Sequence, residues 1–237
     1  MSGPYLLEIS VENLESALAA QRGGAQRVEL CADLGVGGLT PSTALMRRVR
    51  AEVALPIFAM VRPRSGNFVY GEAEFASMRR EIETCRELGM DGCVFGLLTQ
   101  DRRIDVLRTQ MLVEFARPLP VTFHRAFDAS ANLRESLEEV IATGATRILT
   151  SGGAPTAAKG LEVLKELVSA AGERITIVPG SGINATNIVE VARETHAREF
   201  HSGLGSILRY GRADDGLFEE NVRQLATILS SVQIPQK

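Results

Sequence analysis

Five titratable or charged residues sit inside or at the ends of short apolar runs, where a packed core would normally hold valine, isoleucine or leucine. They are Glu8 in YLLEISV, Glu29 in RVELC, Arg62 closing PIFAMVR, His124 in VTFHR and His201 in REFHSGL. Side chains of an extended run alternate between two faces. With Leu7 and Ile9 on one face Glu8 takes the other, and with Val28 and Leu30 outward Glu29 and Cys31 turn inward together. Val61, Phe123 and Phe200 fix Arg62, His124 and His201 in the same way. Taking such groups out of water costs several kcal/mol per ion unless they are paired or await a ligand. A carboxyl of raised pKa or an imidazole can both take and give a proton near neutrality, so Glu8, Glu29 and His124 are the catalytic candidates if the chain is an enzyme. The same residues also suit a self-neutralised network in which Arg62 and the imidazoles balance the two glutamates.

A second chemistry lies in the glycine-rich ends of the later runs: TSGG, PGSGI and HSGLGS. Backbone N–H groups freed by glycine can converge on an anion. Ser151, Gly152, Gly180, Ser181, Gly182, Ser202 and Gly203 are the candidates there, with Arg62 and Arg64 of RPRSG as charge-assisted donors. Tight turns would use the same glycines.

A third chemistry is metal binding. Cu(I) favours thiolate and thioether, and Cys31 is the inward thiol, with Met60 on the neighbouring run by the same parity. Cys31, His124 and His201 are the metal candidates, while Cys31 and Met60 read more simply as core fillers. Glu8, Glu29, His124 and His201 would instead suit Zn or Mn, although the nearby arginines repel a cation. Cys85 follows helical spacing with Met78, Ile82 and Leu88, and Cys93 opens an apolar run, so both read as packing residues. His196, in THARE, reads as a solvated loop residue.

The elements that must position these groups repeat. Eight apolar runs start at Tyr5, Arg27, Pro56, Gly92, Val121, Arg147, Ile175 and Arg198, between 22 and 36 residues apart, and each gap holds a helical pattern such as SMRREIETCRELG. Eight strand–helix units predict a closed (β/α)8 barrel, a TIM barrel of the α/β class, as a single domain over 1–237 with a frayed tail at 231–237. The loops VGGLTPS and PRSGNFVYGEAE then fall on the C-terminal face, where barrels build their sites.

Composition narrows the function classes. Of 237 residues 45% are hydrophobic and 23% charged, with a net charge of -3, which argues against nucleic acid or an anionic membrane as a partner. The uncharged stretch Ile175–Val189 is short and broken by Pro179, Gly180 and Gly182, so no membrane span is expected. The start MSGPYLLEIS lacks the basic and apolar regions of a signal peptide. Three scattered cysteines suggest reduced thiols, and a cytoplasmic location is expected.

With these residues assembled, the chain resembles the CutC family over essentially its whole length. RVELCADLGVGGLTPS, VRPRSGNFVY, VTFHRAFD and RILTSGG carry the resemblance. The family pattern often has a His where this chain has Phe58, and an acidic residue where it has Asn67. The resemblance implies a cytoplasmic, homodimeric TIM barrel engaged in copper homeostasis, with Cu(I) as the bound metal. The residues by themselves leave open an enzyme acting on a small phosphorylated or carboxylated metabolite at the barrel mouth.

Overall fold

The computed structural model describes residues 5–204 and 215–232. Strands β1 (Leu6–Val11), β2 (Arg27–Leu30), β3 (Ile57–Met60), β4 (Gly92–Phe95), β5 (Val121–Phe123), β6 (Arg147–Thr150), β7 (Thr176–Pro179) and β8 (Glu199–Ser202) all run parallel. They are hydrogen-bonded in the order β7-β6-β5-β4-β3-β2-β1-β8, and β8 comes back beside β7 to give a nearly closed barrel. Helices α1 (Leu14–Gly23), α2 (Thr43–Glu52), α3 (Glu72–Glu87), α4 (Val106–Ala116), α5 (Leu133–Ala142), α6 (Leu161–Ala171), α7 (Ile188–Thr195) and α8 (Asp215–Ser231) alternate with the strands. This is the (β/α)8 architecture that the repeat predicts.

The helices begin where the sequence supplies side-chain acceptors. Asn13, Ser42, Asp105 and Asn132 each accept a hydrogen bond from a first-turn backbone N–H. Two apolar clusters result. The large one lies between strands and helices and includes Leu7, Ile9, Val28, Leu30, Phe123 and Phe200. The small one, Cys31, Phe58, Met60 and Val94, occupies the barrel interior. Parity therefore sorts the strand residues as the alternation requires.

Close approach fixes one glycine inside the barrel. Gly92 of β4 is opposite Phe58 of β3, and a Cβ at Gly92 would stand 2.5 Å from the Phe58 ring. At the C-terminal end Ser231 closes α8 and Val232 is buried; residues 233–237 of the expected frayed tail lie outside the described residues. Among the described residues no helix is long and apolar enough to cross a membrane.

Candidate functional site

The register of β1 carries the first half of the site. Glu8 lies opposite Arg27 of β2 on one side and His201 of β8 on the other, while Glu29 is one layer higher on β2. Arg27 Nε donates to Glu8 Oε2, and Arg27 Nη2 donates to Glu199 at 2.6 Å. Arg147 of β6 reaches the same Glu199 oxygen at 3.2 Å. The guanidinium groups of Arg27 and Arg147 both stack on the Phe58 ring, at 4.9 and 4.8 Å from its centre. His201 Nδ1 bonds Glu8 Oε1 at 2.7 Å, its Nε2 stands 3.9 Å from Glu29 Oε2, and the Cys31 thiol donates to that Glu29 oxygen at 3.4 Å.

Burial and pairing pull these groups in opposite directions. Burial disfavours the Glu8 carboxylate, but Arg27 and His201 more than offset it and hold its pKa at about 2. Glu29 has no such cation in contact, and burial raises its pKa despite His201. For His201, burial lowers the pKa but the two carboxylates outweigh it, so the net shift is upward. Burial, with Glu29 adding to it, pushes the Cys31 thiol well above its ordinary value. Glu29 Oε1 is buried without a hydrogen-bond partner among the described residues.

Arg62 and His124 form a different group, higher in the barrel. Arg62 Nη1 donates to the carbonyls of Val36 and Gly38, and Nη2 to that of Gly66, all at 3.1 Å. Its guanidinium stacks 4.9 Å from the Phe68 ring centre, and Phe68 in turn lies 5.0 Å from the His124 ring. Burial, and then Arg62, lower the His124 pKa to about 3, so this imidazole is neutral. The network reading, in which Arg62 neutralises Glu8 and Glu29, is therefore replaced by one in which Arg27 does so for Glu8. Arg27, Arg147 and Glu199 were accessible to the same parity argument, since Val28, Ile148 and Phe200 face outward beside them.

The remaining anion candidates are largely engaged from within. Arg64 is tied to Glu74 at 2.5 Å and to the carbonyls of Asn67 and Val69. In TSGG, the Ser151 and Gly153 N–H groups donate to the Asp128 carboxylate, and Gly152 N–H to Thr150 Oγ1. Arg125 pairs with the same Asp128 at 2.8 Å. Gly180 N–H donates to Thr150 O, and the Ser181 hydroxyl to Pro155 O. The Gly182 carbonyl accepts from Asn184 and Asn187, and the Ser202 hydroxyl donates to Ile183 O next to Gly203. Most of the polar groups named here thus hold the βα turns together. Asp128 was not singled out by the sequence, because it lies beyond its strand, where alternation gives no guide.

For a metal, the donors divide by softness. The ligand atoms of Glu8, Glu29 and His201 lie within 4.8 Å of one another, a hard oxygen and nitrogen set. Cys31 and Met60 meet over Gly38: a Cβ there would come 3.0 Å from Cys31 Sγ and 3.3 Å from Met60 Cε, and its φ of +86° also favours glycine. The Met60 atom at Gly38 is its terminal methyl, and a thiol and a thioether side chain in one interior cluster fit Cu(I) in donor type. Of the three metal candidates, Cys31 and His201 flank Glu29, while His124 belongs with Arg62. Cys85 and Cys93 are buried in the main core next to each other, and the exposed His196 caps α7. A cavity of about 390 Å³ opens outside the barrel between α2 and α3 and touches Arg62, but none of the other charged residues of the interior.

Comparison with known proteins places this geometry in context. The CutC family model matches residues 5–206. The family protein CutC of Chromobacterium violaceum is 44% identical over 225 residues, covering 93% of this chain and 91% of the relative. That of Xanthomonas campestris pv. campestris B100 is 47% identical over 196 residues, 83% and 82% of the two chains. The solved CutC of Streptococcus agalactiae, named for copper homeostasis, superposes with a TM-score of 0.79 at 34% identity, covering 84% of this chain and 98% of that one. Thiamine phosphate pyrophosphorylase from Pyrococcus furiosus shares the fold, with a TM-score of 0.64 at 19% identity over 98% of both chains.

Proposed function

Because the chain belongs to the CutC family, we propose that it takes part in copper homeostasis by holding Cu(I) between Cys31 and Met60 inside the barrel. The observation that carries this reading is that the Cys31 thiol and the Met60 side chain both border Gly38 in one interior cluster, with the Glu29 carboxylate already accepting the thiol hydrogen. Uptake of Cu(I) displaces that proton, and Glu29 is placed to receive it. Once Glu29 has passed that proton on to solvent, one positive charge has replaced another, so the net charge of the buried cluster is unchanged and the penalty of adding an ion to a low-dielectric interior is avoided. The Cys85 and Cys93 pair offers two sulfurs but no carboxylate in contact; two thiolates around Cu(I) would leave a net negative charge in the dry core.

In this reading the protein works in the reducing cytoplasm, which suits its three free thiols. It works as a homodimer, and Leu107 and Met111, one turn apart and exposed on α4, are apolar surface such a contact could cover. Light scattering at the mass of two chains is the expected result.

Competition against a Cu(I) chelator under reducing conditions tests the copper site. Cys31→Ser is expected to lose most of the affinity, whereas Cys85→Ser and Cys93→Ser lose stability and retain it. Wild-type affinity no tighter than about micromolar, about 8 kcal/mol at 1 M standard state, or undiminished binding by Cys31→Ser, would overturn the assignment.

A further inference from the structure

Arg62 is a buried guanidinium with no carboxylate partner among the described residues: its ion-pair equivalents are three backbone carbonyls from the β2–α2 and β3–α3 loops. Its Nε, the Tyr70 hydroxyl and His124 Nε2 are buried without a well-formed hydrogen bond among the described residues, and the Tyr70 hydroxyl stands close enough to the Arg62 guanidinium to interact with it. His124 Nδ1 accepts the Ala126 N–H at 3.2 Å, which leaves the ring proton on Nε2. Arg62 Nε and His124 Nε2 are therefore donors, and the Tyr70 hydroxyl, whose oxygen faces the Arg62 guanidinium, has its hydrogen left to donate. A buried donor without an acceptor is costly and a charged one more so, and three such donors on neighbouring residues point to an acceptor that the protein itself does not supply. The residues are neighbours. Phe68 contacts both Arg62 and His124, and the charge of Arg62 bears on both the Tyr70 phenol and the His124 ring.

We propose that Arg62, Tyr70 and His124 bind the carboxylate of a small organic acid at the C-terminal face of the barrel. The class follows from charge and donor count. Arg62 supplies one positive charge while Tyr70 and His124 donate as neutral groups, so a single negative charge with several lone pairs is matched. A phosphate dianion would leave one charge uncompensated, and the amides that would otherwise receive it in TSGG are already held by Asp128. The site is independent of Cys31 and of copper.

Isothermal titration calorimetry of the full chain with sodium pyruvate, sodium acetate and sodium phosphate, at ionic strength fixed with sodium chloride, tests this assignment. Saturable binding of pyruvate and acetate to wild type is expected, with phosphate at least about tenfold weaker. Arg62→Met is expected to weaken pyruvate binding at least about a hundredfold. Tyr70→Phe, which removes one hydroxyl and keeps the ring that packs in the fold, is expected to weaken it about tenfold. Arg64→Met, whose guanidinium is already engaged by Glu74, should bind as wild type does. Absence of saturable carboxylate binding, equal affinity in wild type and Tyr70→Phe, or tighter binding of phosphate than of pyruvate would each overturn the proposal. Binding of pyruvate by Cys31→Ser with wild-type affinity separates this site from the copper site.

Discussion

The lower and upper halves of the barrel interior both hold buried charge, but only one is internally matched. Below, Arg27 pairs with Glu8 and Glu199, Arg147 with Glu199 and His201 with Glu8, which leaves only Glu29 Oε1, of the buried carboxylate oxygens, without a partner among the described residues. Above, Arg62 has carbonyls for company and a neutral histidine nearby. Charge inside a barrel is therefore not by itself a mark of function. The informative quantity is the residue of charge and hydrogen-bonding capacity left after internal pairing.

The sharpest way to break that contrast is Glu8→Gln. It leaves Arg27 and His201 short of a counter-charge in a buried site and should cost about 3–5 kcal/mol in urea denaturation. A cost below about 1 kcal/mol would mean that the lower cluster is not a neutralised network. The apolar part of the same region is tested next. Gly92→Ala drives a methyl against the Phe58 ring and should destabilise by about 1–3 kcal/mol, because that buried ring also carries the guanidinium groups of Arg27 and Arg147 and cannot shift without disturbing them.

The upper half is probed by pH. With a pKa of about 3 in the fold against an ordinary 6.5, His124 lets the unfolded chain bind a proton that the folded chain refuses. Stability contributed this way falls as pH falls from 6.5, by about 1.4 kcal/mol per pH unit. Glu8, lowered to about 2, adds its own loss only below its ordinary 4.5. His201 is shifted upward, so its contribution is complete below 6.5 and is lost only as pH rises through its folded value. Glu29, also raised, acts alike in wild type and variant. Between pH 6.5 and 4.5 the stability of His124→Gln should therefore lack the decline that wild type shows, as read by denaturation at a series of pH values. Parallel slopes would show that His124 is not held neutral.

The fold was legible because eight apolar runs at similar spacing admit few closed arrangements, and alternation then assigned each inward residue from its outward neighbours. The same rule put Glu8, Glu29, Cys31, Arg62, His124 and His201 in the interior. It does not give height along the barrel, because strand stagger sets which inward residues share a layer. Hence Arg62 was read beside Glu8 and Glu29, and Arg27, one position before an outward valine, was passed over. The Asp128 contact with TSGG joins residues 23 to 25 positions apart through two loops, and neither periodicity nor composition encodes such a meeting.

The pairing of β1 with β8 also has a consequence for synthesis. Glu8 finds Arg27 after 19 residues but His201 only after 193, and Arg27 waits 172 residues for Glu199. While the chain is still emerging from the ribosome, the interior of its first strands holds ionised groups whose final partners do not yet exist. Closure of the barrel then depends on the last strand, which acts as a latch on the first, and a chain halted before residue 199 would present an open, partly charged sheet edge to whatever it meets.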